Sequence, residues 1–407
     1  MTIILLIIIY LAFISLGLPD SVLGSAWPIM QKDLGASLDT AGYLYMIVAI
    51  GTIFSSLASG RILKRFGTGQ VTLISCAMTA GALFGFHLAP SVLWLALFAV
   101  PLGLGAGAVD AGLNNYVALH YEAHHMNWLH SFWGVGATLG PVIMGRMILS
   151  SGKWNNGYLV ISIIQASLVL ILLLSLPLWD KHNRQSKSNK AAAKSAVISS
   201  ETNNNTPAKA KNGMTLALIS FFFYCGVEST VGLWGSSFLA NIKNMEPAQA
   251  AQLVSFYWGG ITAGRFISGF ISFRLSNKQL IRLGQVIALS GTILLALPLS
   301  TAFTIVSFML IGLGLAPIYP SMLHETPARF GKEKSQYIMG IQMAVAYTGA
   351  TLLPPILGTV ASRTSLLIFP VVVLVYALIM WLSSERLNSF IASKKAAAQA
   401  LAKTQPD

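Results

Sequence analysis

The sequence predicts an all-α membrane protein of twelve transmembrane helices arranged as two six-helix bundles. Three observations predict this fold class: the composition, the recurrence of long apolar segments, and an internal repeat. Only 10% of the 407 residues are charged and 55% are hydrophobic, whereas about a quarter of the residues in an ordinary soluble protein are charged. A soluble fold could not cover so much apolar surface, but a lipid bilayer can.

Apolar segments of spanning length recur along the whole chain. An α-helix rises about 1.5 Å per residue, so a hydrocarbon core about 30 Å thick is crossed by about 20 residues. We predict twelve spans, at residues 3–28, 41–62, 70–89, 92–117, 127–149, 157–179, 214–240, 250–273, 279–299, 303–323, 335–361 and 364–384.

Lysine and arginine are concentrated in alternate connecting segments. Twenty of the 26 lie after the second, sixth, eighth and tenth spans or in the C-terminal tail, and the opposite side has only Lys32, Lys153, Lys243 and Arg363. Cytoplasmic loops carry the excess of positive charge, so both termini are expected in the cytoplasm. The net charge of +13 therefore indicates contact with the inner leaflet. No basic stripe points to nucleic acid.

One long polar segment divides the spans six and six. Residues 181–213 are rich in Lys, Ser, Asn and Ala, a composition that offers little to pack and is typical of a flexible linker. The predicted domains are an N-terminal bundle at 1–180, this linker, a C-terminal bundle at 214–386, and a cytoplasmic tail at 387–407.

The two halves share short strings in the same order and at a nearly constant offset. Such a duplication indicates two parallel repeats that can rock against each other around a central site, with small residues allowing close helix packing. The matching pairs are Leu102 to Gly105 with Ile311 to Gly314, Ser59 to Arg65 with Ser268 to Arg274, and Gly136 to Pro141 with Gly349 to Pro354.

Five ionisable residues lie inside predicted spans. Each such group costs roughly 2.5–3.5 kcal/mol on insertion scales, so each requires a reason. They are Asp20, Asp110, His130, Glu228 and Arg265.

Asp110 heads a polar face in the fourth span. Asn114 is one helical turn away and Asn115 lies beside it, and together carboxylate and amide groups supply the donors and acceptors that sugar hydroxyls need. His130 returns at a similar depth in the fifth span, so we hypothesise an Asp110–His130 pair. A purely structural hydrogen bond between neighbouring helices would explain the same pattern.

Glu228 lies in the middle of the seventh span, with Tyr224 one turn before it and Trp234 beyond it. Aromatic rings stack on the apolar faces of sugars, while a carboxylate binds hydroxyls. Arg265 could instead neutralise Glu228 in a permanent ion pair, which would make Glu228 structural. The candidates for substrate binding are Asn114, Asn115, His130, Trp133, Tyr224, Trp234 and Gln342.

Asp20 follows Pro19, which predicts an irregularity in the first span. A carboxyl group withdrawn from water holds its proton more readily, so Asp20 is the first candidate for carrying a proton. Asp110 and Glu228 are further candidates for proton coupling. The same groups could bind sodium, and the sequence does not separate the two ions.

The twelve spans, the central linker and the segment after the second span resemble the major facilitator superfamily over essentially the whole chain. The superfamily's signature in that segment is Gly, then an acidic residue, then Arg-x-Gly. Gly60, Arg65 and Gly67 fit it, but Lys64 stands where the acid is usual. The resemblance implies structural or gating roles for these three residues, and we place Arg265 in the same group.

Shorter strings are similar to the fucose/glucose–proton symporter branch of that superfamily. This resemblance implies sugar uptake coupled to an ion, with acidic residues of spans one and four taking part, and Asp20 and Asp110 match those places. The strings are Gly17 to Asp20 with Gly24 and Trp27; Asp110 with Asn114-Asn115; Asn127 to His130; Tyr224 with Gly226, Glu228 and Trp234; Gly264-Arg265; and Ala316 to Pro320.

The sequence thus predicts a monomeric secondary active importer of a monosaccharide or similar neutral polar solute, driven by protons or possibly sodium, in a bacterial inner membrane. It predicts no cofactor or metal, and no phosphate-binding Gly-x-x-x-x-Gly-Lys-Ser/Thr loop for ATP is present. An exporter of drugs or other amphipathic compounds is the main alternative, because Gly136 to Gly145 also resembles the Gly-Pro signature of antiporters. A membrane-embedded enzyme using His130 is a further alternative, which the wide spacing of the acids disfavours.

Overall fold

The computed structural model describes residues 2–121, 123–192, 208–330 and 332–404, and over these ranges the secondary structure is entirely helical. A 3₁₀ turn at Leu366–Ile368 precedes the last helix. The helices are α1 Thr2–Asp20, α2 Val22–Asp33, α3 Thr40–Phe66, α4 Thr68–His87, α5 Val92–His120, α6 Ala123–Ser151, α7 Asn155–Ala192, α8 Ala208–Asn241, α9 Pro247–Ile271, α10 Asn277–Ala296, α11 Thr301–Leu315, α12 Ile318–Phe330, α13 Lys332–Arg363 and α14 Phe369–Thr404.

Eleven segments of the described chain are long and apolar enough to cross a membrane, and two of them contain two helices each, α1 with α2 and α11 with α12. The remaining predicted span, the eighth at residues 250–273, corresponds to α9, which has 25 residues but is not among the eleven segments. It packs against α6 and α11. These spans confirm the predicted all-α membrane fold.

Two spans are interrupted near prolines. Helices α1 and α2 meet at Ser21, two residues after Pro19, as the sequence predicted. Helices α11 and α12 meet around Pro317, because proline lacks an N–H and its ring clashes with the preceding turn. Helix α13, in contrast, continues through Pro354 and Pro355.

The internal repeat is visible in the packing of glycines. Gly103 of α5 lies against the backbone of Val48 in α3, and Gly312 of α11 lies against the backbone of Tyr257 in α9. Val48 and Tyr257 are related by the same sequence offset as the two glycines. A Cβ atom at either glycine would collide with a carbonyl group, so only glycine permits these close approaches.

A second pair of repeat-related glycines behaves in the same way. Gly136 of α6 meets the backbone of Ile14 in α1, and Gly349 of α13 meets the backbone of Phe222 in α8. Each half is therefore held together by equivalent backbone contacts, as expected for a duplicated bundle.

The two halves meet most closely on one side of the bundle. The end of α7 and the start of α8 lie on one side of the bundle, next to the predicted linker. We call this side the linker side. On the opposite side, Gly24 of α2 abuts the backbone of Gly232 and Leu233 in α8, and the Ser236 hydroxyl donates to the Ser25 carbonyl oxygen at 3.2 Å. These contacts close the bundle on that side.

Contacts between the halves differ on the linker side. Helices α6 and α9 still pack together there, but within the described chain α5 makes no substantial contact with α11 or α12. Within the described chain, these linker-side helices of the two halves (α5 with α11 and α12) are therefore not packed against each other.

The helices extend beyond the predicted domain limits. Helix α7 continues to Ala192 and α8 begins at Ala208, so both ends of the predicted linker are helical, while residues 193–207 lie outside the described residues. Helix α14 likewise covers most of the predicted tail. Hydropathy marks where a helix leaves the membrane, and the helix can continue beyond that point. The division into domains stays a prediction.

Large apolar side chains cover the outer surface of the bundle. Leu93 and Leu174 are each 81% exposed and Phe273 is 88% exposed. Apolar surface of this extent is unfavourable in water but matches lipid tails. The chain is a multi-pass membrane protein.

Candidate functional site

Asp20 lies halfway along the first span, where α1 ends. Its Oδ2 accepts a hydrogen bond of 2.8 Å from Nε1 of Trp133 in α6. The Asp20 side chain is nevertheless exposed, although it is surrounded by helices. It therefore lines the open space between the halves.

Arg265 of α9 reaches from the C-terminal half to the N-terminal half. Its guanidinium carbon lies 5.0 Å from the centre of the Trp133 ring, a cation–π distance. Its Nη1 donates to the His130 carbonyl oxygen at 3.2 Å. Because Trp133 and His130 both belong to α6, Arg265 joins the two halves.

Arg265 also faces Glu228 of its own half. Its Nη2 lies 3.6 Å from Oε1 of Glu228, and the two side chains are 16% and 17% exposed. The Glu228–Arg265 ion pair, which the sequence offered as an alternative to substrate binding by Glu228, is thus present in this conformation. The neighbouring Tyr224 hydroxyl also interacts with the Glu228 carboxylate. Neither Oε1 of Glu228 nor the Tyr224 hydroxyl makes a hydrogen bond of regular geometry within the described chain, whereas buried polar atoms normally make one.

Asp110 and His130 do not form the hypothesised pair. The Asp110 carboxylate accepts a 2.8 Å hydrogen bond from Nδ2 of Asn114 on its own helix. The His130 ring instead packs edge-on against Phe13 of α1, with ring centres 5.9 Å apart. The hypothesis is wrong because equal depth in the membrane does not fix the direction in which each helix face points.

The three carboxylates nevertheless lie within electrostatic reach of one another's neighbourhood. Asp20 interacts electrostatically with both Asp110 and Glu228. Asp110 in turn interacts with the phenols of Tyr319 and Tyr347 from the C-terminal half. Groups from five different spans and from both halves therefore belong to one set of interacting polar residues.

An aromatic wall that the sequence did not single out borders this region. Trp258 packs edge-to-face on Trp133 with ring centres 5.7 Å apart, and the Tyr257 hydroxyl donates to the Glu228 carbonyl oxygen at 3.0 Å. Aromatic residues in spans often serve packing or interfacial anchoring, so the sequence alone does not indicate a site role for Tyr257 or Trp258. The spacing of seven residues between Trp258 and Arg265 places both on one helix face and could have indicated them.

Tyr45 was also missed. Its hydroxyl, on α3, donates to the Ser229 hydroxyl of α8 at 3.1 Å, and its phenol interacts electrostatically with Asp20 and Glu228. No sequence signal distinguishes this tyrosine from others in apolar segments.

Two predicted substrate-binding residues lie in packed interiors. Trp234 is fully buried, and its Nε1 donates to the Pro354 carbonyl oxygen at 2.8 Å. Gln342 is 2% exposed and accepts a 2.8 Å hydrogen bond from Thr326. Each side chain has a hydrogen-bond partner inside its own half, which disfavours contact with a solute, whereas Asn115 is exposed beside the Asp110 face.

The segment after the second span has one residue whose identity the geometry explains. Gly67 joins α3 to α4 with φ of +79°, a conformation that favours glycine. A Cβ atom at Gly60 would meet no neighbouring atom. The Arg65 guanidinium lies over the adjacent Phe66 ring. The gating roles of Gly60 and Arg65 stay predictions.

Comparison with known families gives a match along the chain. A family model described as Major Facilitator Superfamily matches residues 9–354 and, in a second match, residues 216–404. The overlap of the two matches agrees with the duplicated architecture.

Relatives named as sugar transporters match most of the chain. Sodium-dependent glucose transporter 1 of Homo sapiens is 22% identical over 390 residues, which cover 86% of this chain and 72% of that protein. Glucose/mannose transporter GlcP of Bacillus subtilis is 22% identical over 318 residues, which cover 77% of each. Among solved structures, the nucleoside transporter NupG has a TM-score of 0.71 at 14% identity and covers 94% of this chain and 98% of that one, a likeness of fold.

Proposed function

Because the chain belongs to the major facilitator superfamily, we propose that it is a secondary active transporter that takes up a monosaccharide or similar neutral polar solute together with a proton. Transport proceeds by alternating access, in which the two bundles rock around the polar region between them.

The observation that carries the proposal is that Asp20, inside a span, interacts electrostatically with two further intramembrane carboxylates, Asp110 and Glu228. Carboxylates in a membrane interior are expensive, and their presence there is the usual mark of a functional site. One such function is to take up and release a proton on each cycle.

The chemistry around the carboxylates suits a sugar. Asn114 and Asp110 supply donors and acceptors from one half, and Glu228 and Tyr224 supply a carboxylate and a hydroxyl from the other. A pocket for amphipathic drugs would be mostly apolar instead.

The test is solute counterflow in proteoliposomes. Purified protein is reconstituted with a panel of labelled hexoses, pentoses and nucleosides, and uptake is then repeated with a proton gradient or a sodium gradient. We expect counterflow of at least one sugar and accumulation driven by the proton gradient. Accumulation driven by sodium alone would correct the ion. Transport of no neutral polar solute, together with extrusion of lipophilic cations, would refute the proposal in favour of the exporter.

A further inference from the structure

We propose that Trp133 is the residue that couples the charge of Asp20 to the contact between the two halves. This inference rests on the proposed function in assigning a proton to Asp20, and it adds how that proton is sensed. Trp133 is a positioning residue in this role, because it acts through Arg265 and does not itself carry the proton.

The first step is the contact between Asp20 and Trp133. The bond of 2.8 Å from Nε1 to Oδ2 is a hydrogen bond to an ionised acceptor when Asp20 is charged, and such bonds are about twice as strong as neutral ones. Tryptophan has a single N–H donor, so this bond fixes the plane of the indole. Protonation of Asp20 weakens it and frees the ring.

The second step is the contact between Trp133 and the other half. The fixed indole presents its face to the Arg265 guanidinium at 5.0 Å and packs against Trp258 at 5.7 Å. Both partners belong to α9. A rotation of the indole therefore removes two contacts between α6 and α9 at once, and leaves Arg265 with Glu228 and the His130 carbonyl group.

Other titratable groups face Asp20 from the neighbouring helices. Asp110 of α5 and Glu228 of α8 repel its charge, and the phenols of Tyr45 in α3 and Tyr347 in α13 also interact with it. Tyrosine is ordinarily neutral near pH 7. The two carboxylates could also titrate, and Asp20→Asn tests the contribution of Asp20 while leaving both of them in place.

The main variant is Trp133→Phe, which keeps an aromatic ring and removes the N–H donor. We expect it to retain solute counterflow, because exchange requires no net proton movement, and to lose accumulation driven by a proton gradient by roughly tenfold or more. Asp20→Asn should show the same separation. Trp128→Phe is the matched control on the same helix, since Trp128 is 49% exposed, and it should accumulate solute as the unaltered protein does.

A second measurement needs no substrate. Nitroxide labels on Phe66→Cys and Phe273→Cys, in a background with Cys76→Ala and Cys225→Ala, report the separation of the two halves on the linker side. Both phenylalanines are exposed. We expect the distance distribution to differ between acidic and alkaline buffer, and Trp133→Phe to abolish that difference.

The outcomes separate the two proposals. Accumulation or a pH-dependent distance shift that survives in Trp133→Phe overturns the inference. So does a loss of counterflow in parallel with accumulation, which would make Trp133 a substrate-binding residue, and so does the absence of a pH shift in the unaltered protein. If no solute is transported but the shift occurs and depends on Trp133, the proposed function fails while the coupling role stands.

Discussion

The ion pair between Glu228 and Arg265 allows a quantitative test of whether Glu228 binds substrate or only neutralises the arginine. At 3.6 Å, two unit charges attract by about 4.6 kcal/mol at an effective dielectric constant of about 20. Loss of hydration offsets much of this attraction. Both side chains keep some exposure, and Arg265 has two further contacts in the other half. We therefore expect a net coupling of about 1–2 kcal/mol.

The assay is a double-mutant cycle with Glu228→Gln, Arg265→Gln and the combined variant. Thermal unfolding in detergent reports stability, and the dissociation constant of the transported solute reports binding. Each single variant should be less stable than the parent, because it leaves one buried charge unpaired, and the combined variant should recover most of that loss. Glu228→Gln should weaken solute binding about tenfold, as expected for a lost hydrogen bond to a charged group.

The decisive comparison is solute binding by the combined variant. If Glu228 contacts the solute, restoring stability does not restore binding. Recovery of both stability and binding in the combined variant would refute the binding role and establish Glu228 as a structural partner of Arg265.

Three further substitutions test other features of the structure. Asp110→Asn keeps the size of the side chain but cannot carry a proton, so uptake driven by a proton gradient should be lost while counterflow persists. Gly312→Ala should lower stability by about 1–3 kcal/mol, because the new methyl group meets a backbone carbonyl, whereas Gly269→Ala, with open space around it, should be neutral or stabilising by up to about 1 kcal/mol in thermal unfolding. Arg282→Ala should leave the unfolding temperature nearly unchanged, since the Arg282 side chain is 66% exposed in its pair with Glu385 and exposed pairs contribute little.

The fold was predictable because hydropathy and glycine placement are local properties of the chain. Runs of apolar residues identified the spans, and Pro19 identified the break in the first one. The repeat was visible in strings around Gly103 and Gly312, and the structure shows why these glycines are required. The limits of α7 and α14 were less predictable, since a helix does not end where the membrane does.

The site was only partly predictable because it depends on how helices are rotated. Asp20, Glu228 and Arg265 could be found from charge alone, since charge inside a span is rare. The pairing of Trp133 with Asp20 could not, because it requires the orientation of α6 relative to α1. The same missing information produced the error at His130, whose ring turns toward Phe13.

The seal on the side opposite the linker has a consequence for how the protein switches. The contacts of Gly24 with α8 and the hydrogen bond from Ser236 to Ser25 join uncharged atoms. Water can replace such contacts at small net cost, and dissolved salt does not screen them as it screens ion pairs. This barrier is therefore a passive one, and under the proposed function its opening is controlled by protonation and solute binding at the residues around Asp20.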